Sequence, residues 1–230
     1  MIRCSVCGKE NDDLAVICAG CKSYLQSKVD NLNLFETMWG VIESPRIAFK
    51  KIVLAQHKNY VFLLSSLLGI YLVYMLLWYK NWGHAFSNII EILGAGLILG
   101  PVLGIPFVYL FSLLMQSAAR LVGGKGSVRS MFAVVSYASL LLVFALVFVL
   151  PIEVAIFGSY FFERNPPPLV INPAVYITLL GLDFLALIWS WLLLVEGSIV
   201  SNGFSRKKSL LLVLAVMVLT GFCSIGIYLL

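Results

Sequence analysis

Five apolar runs dominate the sequence. They cover Tyr60 to Tyr79, Ile89 to Ala119, Met131 to Gly158, Ala174 to Ser198 and Ser209 to Leu230. About 20 helical residues cross the hydrocarbon of a bilayer, and each run reaches that length. A backbone in lipid must satisfy its own hydrogen bonds, so runs of this kind form helices. A soluble fold is excluded, because only 12% of the residues are charged and the mean hydropathy is +0.98. The expected fold is all-α: a polytopic helical membrane protein with five transmembrane helices.

The formal charge of +5 is then read first as topology. Arg46, Lys50, Lys51 and Lys58 precede the first run. Arg120, Lys125 and Arg129 lie between the second and third, and Arg206, Lys207 and Lys208 between the fourth and fifth. The opposite flanks hold Lys80 and Arg164. Positive loops stay in the cytoplasm. The rule places the N-terminus inside and the C-terminus outside. Tyr60, Trp78, Tyr79 and Trp82 sit where interfacial aromatics belong. The opening residues have no apolar core of signal-peptide type, so the first run is expected to act as the signal anchor.

Four of the five cysteines open the chain in CSVCGKENDDLAVICAGC, as Cys4, Cys7, Cys18 and Cys21. Two Cys-x-x-Cys turns supply four soft ligands for a tetrahedral zinc ion. Gly8 follows the first pair, where a tight turn favours positive φ. Residues 1–28 are too few for a hydrophobic core, so metal would supply the folding free energy. Two disulfides are the rival reading; paired short spacing and a reducing cytosol favour structural Zn²⁺. Arg3, Lys9, Lys22 and Lys28 nearly balance Glu10, Asp12 and Asp13, and four thiolates on zinc make the module acidic. Only Tyr24 is there to stack on a base, so no nucleic-acid partner is expected. A folded cap, or a docking module for a cytosolic or membrane protein, fits better. Cys223 stands alone in the last run and reads as a small buried thiol.

Residues 29–58 link this head to the spans at 59–230. Ser44 and Pro45 mark a helix start, as N-cap and first helical residue. The helix carries Ile47, Ala48, Ile52, Val53 and Ala55 among Arg46, Lys50 and Lys51. It either lies in the headgroup region near anionic lipid or packs on the bundle as a linker. Residues 33–43 read the same way.

The second run holds Pro101 and Pro106 and reads Gly96-x-x-x-Gly100-x-x-x-Gly104. Three glycines on one face let a neighbouring helix, of this chain or another, approach closely. One kinked span is preferred to a re-entrant hairpin, which would put the 120–129 loop on the wrong side. ERNPPPLVINP is an extended external spacer or a proline-rich ligand.

Asp183 falls near the middle of the fourth run, with Ala186, Ser190 and Gly197 on its face. An acid at that depth must face protein or water. It is an ion or proton relay, a polar groove for a lipid headgroup, or a buried tie to Ser and Tyr hydroxyls. Glu91 and Glu153 are read as lying near the external ends of their runs, and Glu196 near the cytosolic end of its own. His57 and His84 flank the membrane without metal-site spacing.

Residues 1–26 look like the short zinc ribbon that heads many prokaryotic membrane proteins. Residues 36–230 resemble the Yip1 domain family, through WGVIESPRIAFKKI, GGKGSVRSMFAVVSYASLLL and the five spans. Eukaryotic relatives interact with Rab GTPases and carry an Asp-Leu-Tyr-Gly-Pro motif near the first span. That motif is missing here, so the resemblance points to the prokaryotic branch and a cytoplasmic membrane. Tyr137, in the Ser-Tyr-Ala-Ser stretch, is the family position carried over. It joins Asp183 and Ser190 as a candidate intramembrane polar residue.

No nucleophile motif or phosphate-binding loop is present, and Gly123–Gly126 reads as a tight turn rather than a P-loop. The chain is expected to be no enzyme but a membrane scaffold or adaptor with a zinc-bound docking module. A small transporter, channel or lipid-handling protein using Asp183 is the alternative. A sensor of zinc or thiol oxidation is the third.

Overall fold

The computed structural model describes residues 1–26 and 29–229, with side chains through Thr220. The side chain of Cys223 lies outside the described residues. The head contains two short antiparallel strands, β1 (Ile2–Arg3) and β2 (Glu10–Asn11), with Arg3 opposite Glu10. The regular elements after it, among the described residues, are helical: α1 (Leu34–Glu43), α2 (Pro45–Leu54), α3 (Val61–Lys80), α4 (Ile89–Leu121), α5 (Val128–Ala138), α6 (Leu140–Phe144), α7 (Leu150–Phe157), α8 (Pro168–Ile171), α9 (Pro173–Asn202) and α10 (Arg206–Leu229).

Four helical stretches among the described residues are long and apolar enough to cross a membrane: Val61–Lys80, Ile89–Leu121, Val128–Phe162 and Pro173–Asn202. Short polar side chains start the last three, while Tyr60 precedes the first without a side-chain cap. Asn88 accepts from the Glu91 backbone N–H, Ser127 from Ser130, and Asn172 from Val175. This is the N-cap role of Asn and Ser. Glu91 completes its cap by accepting from the Ser87 N–H at 2.8 Å. Its place at the helix end therefore has a local cause.

α4 runs unbroken through Pro101 and Pro106, a single helix as expected rather than a hairpin. Its glycine face is where α3 docks. A Cβ on Gly100 would lie 2.5 Å from the Ile70 Cα, and one on Gly104 2.4 Å from the Gly69 Cα. Gly69 is the reciprocal contact: its Cβ would meet the Gly100 carbonyl oxygen at 2.1 Å. Backbones this close leave room for hydrogen alone. The remaining surface of α4, including Leu97, Ile98, Val102 and Leu103, is exposed, as is the Phe184, Leu185 and Leu192 side of α9. Large apolar side chains facing outward over whole helices suit lipid, not water.

The third stretch is not one regular helix. It breaks at Ser139, widens into a π turn over Ala145–Val149, and ends in a 3₁₀ turn at Gly158–Phe162. Pro151 cannot donate to the carbonyl four residues back, and the wider turn takes up that mismatch. The stretch ends at Phe162, beyond the expected Gly158.

α1 and α2 pack at the head end of the bundle. Val41, Ala48, Phe49 and Ile52 are buried there, while Phe35, Trp39 and Ile47 stay exposed. The linker reading accounts for the buried face. Ser44 occupies the N-cap position of α2, but its side chain makes no capping bond. Its carbonyl instead accepts from the Ile47 and Ala48 N–H groups. Lys58 closes the other end of α2, donating to the Ile52 carbonyl and, at 2.7 Å, to that of Val53. Burial, then the Arg129 charge, pushes its ammonium down to about 8.

Candidate metal centre and intramembrane acid pair

The two Cys-x-x-Cys segments fold into matching turns. The Gly8 N–H bonds back to the Cys4 carbonyl at 2.9 Å, and the Lys22 N–H to the Cys18 carbonyl at 3.2 Å. Both Gly8 and Lys22 have positive φ, +72° and +63°. The glycine was legible as a turn residue. Lys22 shows that the second turn needs the same conformation and tolerates a Cβ there. Within the turns the Val6 N–H points at the Cys4 sulfur, 3.4 Å away, and the Gly20 N–H at the Cys18 sulfur, 3.3 Å away.

These turns bring the four sulfurs within 4.8 Å of one another. The Cys4–Cys21 and Cys7–Cys18 separations are both 3.6 Å. A disulfide needs about 2.05 Å, and all four are free thiols. Ligands at about 2.3 Å from a central ion would lie about 3.8 Å apart at the corners of a tetrahedron. The cluster fits a metal ion. Its electrostatics ask for one. The Ser23 hydroxyl, then the Cys7 and Val6 N–H groups, push Cys4 down to about 6. The Cys21 and Gly20 N–H groups likewise lower Cys18. Cys7 is pulled down by the Lys9 backbone but pushed up to about 11 by its neighbouring thiols. The Cys4 and Cys18 thiolates form easily and that of Cys7 does not, unless a cation shares the charge. Asn11 braces the second turn, accepting from the Ala19 N–H at 2.9 Å.

The head stands over the end of the bundle across a cleft of about 1470 Å³. Asp12 and Asp13 line one wall; Arg46, Lys50, Arg206 and Lys208 line the other. One exposed ion pair crosses it, Asp12 to Lys125 at 3.8 Å. Such a pair contributes at most about 1 kcal/mol.

Below the cleft, Asn202 locks the Gly123–Gly126 turn. Its Oδ1 accepts from the Gln116 amide at 3.0 Å and the Gly126 N–H at 3.1 Å. A Cβ on Gly124 or Gly126 would press on that oxygen at 2.6 and 2.8 Å. This explains the glycines without a phosphate. Asn202→Leu is expected to leave buried donors unpaired, at a cost of about 1–3 kcal/mol. Thermal unfolding of the purified protein should show a midpoint lower by roughly 3–10 °C. Glu196 is the electrostatic clasp of the same end, accepting from Arg46 at 2.8 Å and Arg206 at 2.5 Å.

Deeper in the bundle, Asp183 and Ser190 point inward as their spacing predicts, 7% and 5% exposed. The Tyr71 hydroxyl donates to Asp183 Oδ1 at 3.2 Å. The tie to a tyrosine hydroxyl therefore exists. Tyr137 is not its donor, for the Tyr137 hydroxyl bonds the Asn59 carbonyl at 2.9 Å. Asn59 precedes α3, and Tyr71 lies roughly 16 Å further along it at 1.5 Å per residue. Ser190 is two turns from Asp183, and its hydroxyl is buried without a partner. The residue that does meet Asp183 is Glu153. It is not near the end of its stretch; it is 1% exposed inside the bundle. The third stretch runs nine residues past it to Phe162, which carries it inward.

A mostly helical chain with four candidate spans is a polytopic membrane protein, and its four clustered cysteines could hold a metal ion, consistent with a zinc-ribbon-like motif. The chain belongs to the Yip1 family: the Yip1 domain model matches residues 39–228. The family is in general one of non-enzymatic membrane proteins. No curated protein and no solved structure matches.

Proposed function

We propose that this protein is a non-enzymatic membrane scaffold or adaptor of the Yip1 type, with a zinc-bound cytosolic docking module. The observation that carries the reading is the head itself. It closes on four thiols, meets the bundle through the exposed Asp12–Lys125 ion pair, and shows Val6, Ile17 and Tyr24 to solvent. Ile17 and Tyr24 are paired across a β-bridge, which sets their side chains as neighbours. A small rigid surface with apolar contacts suits a protein partner. The four-thiolate set suits zinc as structural ion.

α10, 24 residues long, serves as the fifth span in this reading. The Lys and Arg distribution supports a cytosolic N-terminus and an external C-terminus, and the Yip1 resemblance without the Asp-Leu-Tyr-Gly-Pro motif supports residence in a prokaryotic cytoplasmic membrane. Affinity capture from native membranes tests the docking role, with full-length protein compared against a form lacking residues 1–28. Partners lost with the head support it. Identical partners from both would end it.

A further inference from the structure

The bundle interior holds two carboxyl groups and nothing positive to match them. Glu153, from α7, is 1% exposed, and neither of its carboxylate oxygens has a hydrogen-bond partner. It lies against Asp183 of α9, which is 7% exposed. Among the described residues, the one hydrogen-bond donor at the pair is the Tyr71 hydroxyl of α3, and it serves Asp183. Tyr71, Glu153 and Asp183 are neighbours in the bundle interior. No Lys, Arg or His occurs within 61–79, 89–119, 131–162 or 173–205.

Two adjacent negative charges without a counter-charge cannot persist in a medium of low dielectric. The two Glu153 oxygens, buried without a donor among the described residues, also lack the hydrogen bonds that would offset their desolvation. A single proton repairs both faults. It removes one charge and supplies the missing donor, and it needs no space beyond the contact itself. A metal ion would need several more oxygen ligands than the two carboxyls and one phenol present.

We infer that Glu153 and Asp183 form a proton-binding dyad, one proton bridging the carboxyl groups while Tyr71 donates to Asp183 from α3. The dyad joins three elements, α3, α7 and α9. Losing the proton sets the two carboxylates against each other and loosens that junction. The site lies near mid-bundle: Tyr71 is the eleventh of the 20 residues of α3.

Infrared spectroscopy of the unaltered protein in lipid nanodiscs tests the dyad first. The C=O stretch of a protonated carboxyl should be present at neutral pH and vanish as pH is raised. Its absence at neutral pH would overturn the proposal. Thermal unfolding supplies the second readout. The dyad proton is bound in the folded protein and released on unfolding. Its stabilisation is therefore full at low pH and lost as pH rises through the folded dyad's titration. The unfolding midpoint should fall by about 2–4 °C per pH unit over that range. Glu153→Gln places a permanent N–H where the proton bridged, so this variant should lose that slope and keep its midpoint at alkaline pH. Equal slopes in the two proteins would overturn the dyad. So would a midpoint that rises with added Na⁺ or Ca²⁺ in the unaltered protein but not in Glu153→Gln. Neither readout involves the head, so failure of the docking role leaves this test intact.

Discussion

Gly100→Leu is expected to take the bundle apart. The α4 backbone at this position faces the α3 backbone, with the Ile70 nitrogen and Cα 2.5–2.6 Å from where a Cβ would stand. Backbone atoms cannot swing aside as a side chain tip can, so the helices must separate along their whole contact. Overpacking alone typically costs about 1–3 kcal/mol. Loss of the neighbouring Gly69, Gly96 and Gly104 contacts raises the expected total to roughly 5 kcal/mol, among the largest single-residue effects. Thermal unfolding in detergent should show Gly100→Leu unfolded, or lower in midpoint by more than about 10 °C. Gly94→Ala is the control. A Cβ there meets nothing within 4 Å, and the helix should gain about 0.5–1 kcal/mol from the stiffer residue. If Gly100→Leu unfolds like the unaltered protein, the helix contact described above is wrong.

Metal removal should have the second large effect, and it should be confined to the head. The head has two strands of two residues each and few buried apolar side chains. Ordering its chain costs roughly 1–2 kcal/mol per residue, which so small a core does not offset. Binding of structural zinc to such modules contributes about 10–16 kcal/mol. Cys4→Ser, or a strong chelator, should therefore unfold residues 1–26 and open them to protease. The fragment from α1 onward should survive, since Val41, Phe49 and Ile52 are held by the bundle. Elemental analysis should find one zinc per unaltered chain and none in the variant. A head that stays protease-resistant without metal would remove the reason for its four thiols.

The inward face of Asp183, Ser190 and Gly197 followed from helical spacing alone. So did the docking face of Gly96, Gly100 and Gly104. Glu153 did not, and the misplacement has a definite cause. Its depth was counted from an expected end at Gly158, whereas the π turn before Pro151 and the 3₁₀ turn after Phe157 change both the phase and the length of the stretch. Tyr137 was singled out by resemblance, and its hydroxyl proved to bond backbone near the start of α3. Gln116 and Asn202 gave no local signal at all. A buried amide in an apolar run shows a need for partners without showing which ones.

The sequence by itself determined what depends on a few neighbouring residues: helices long enough to span, the two thiol turns and the sign of each flank. Tertiary structure decided every pairing across distance: Gly69 against Gly100, Asn202 against Gly126, and Glu153 against Asp183 under Tyr71. The physical reason is that helix formation answers to hydrogen bonds four residues apart. Which faces meet answers to the shape of all the helices at once, and a glycine gap or a widened turn in one of them resets the partners of the others.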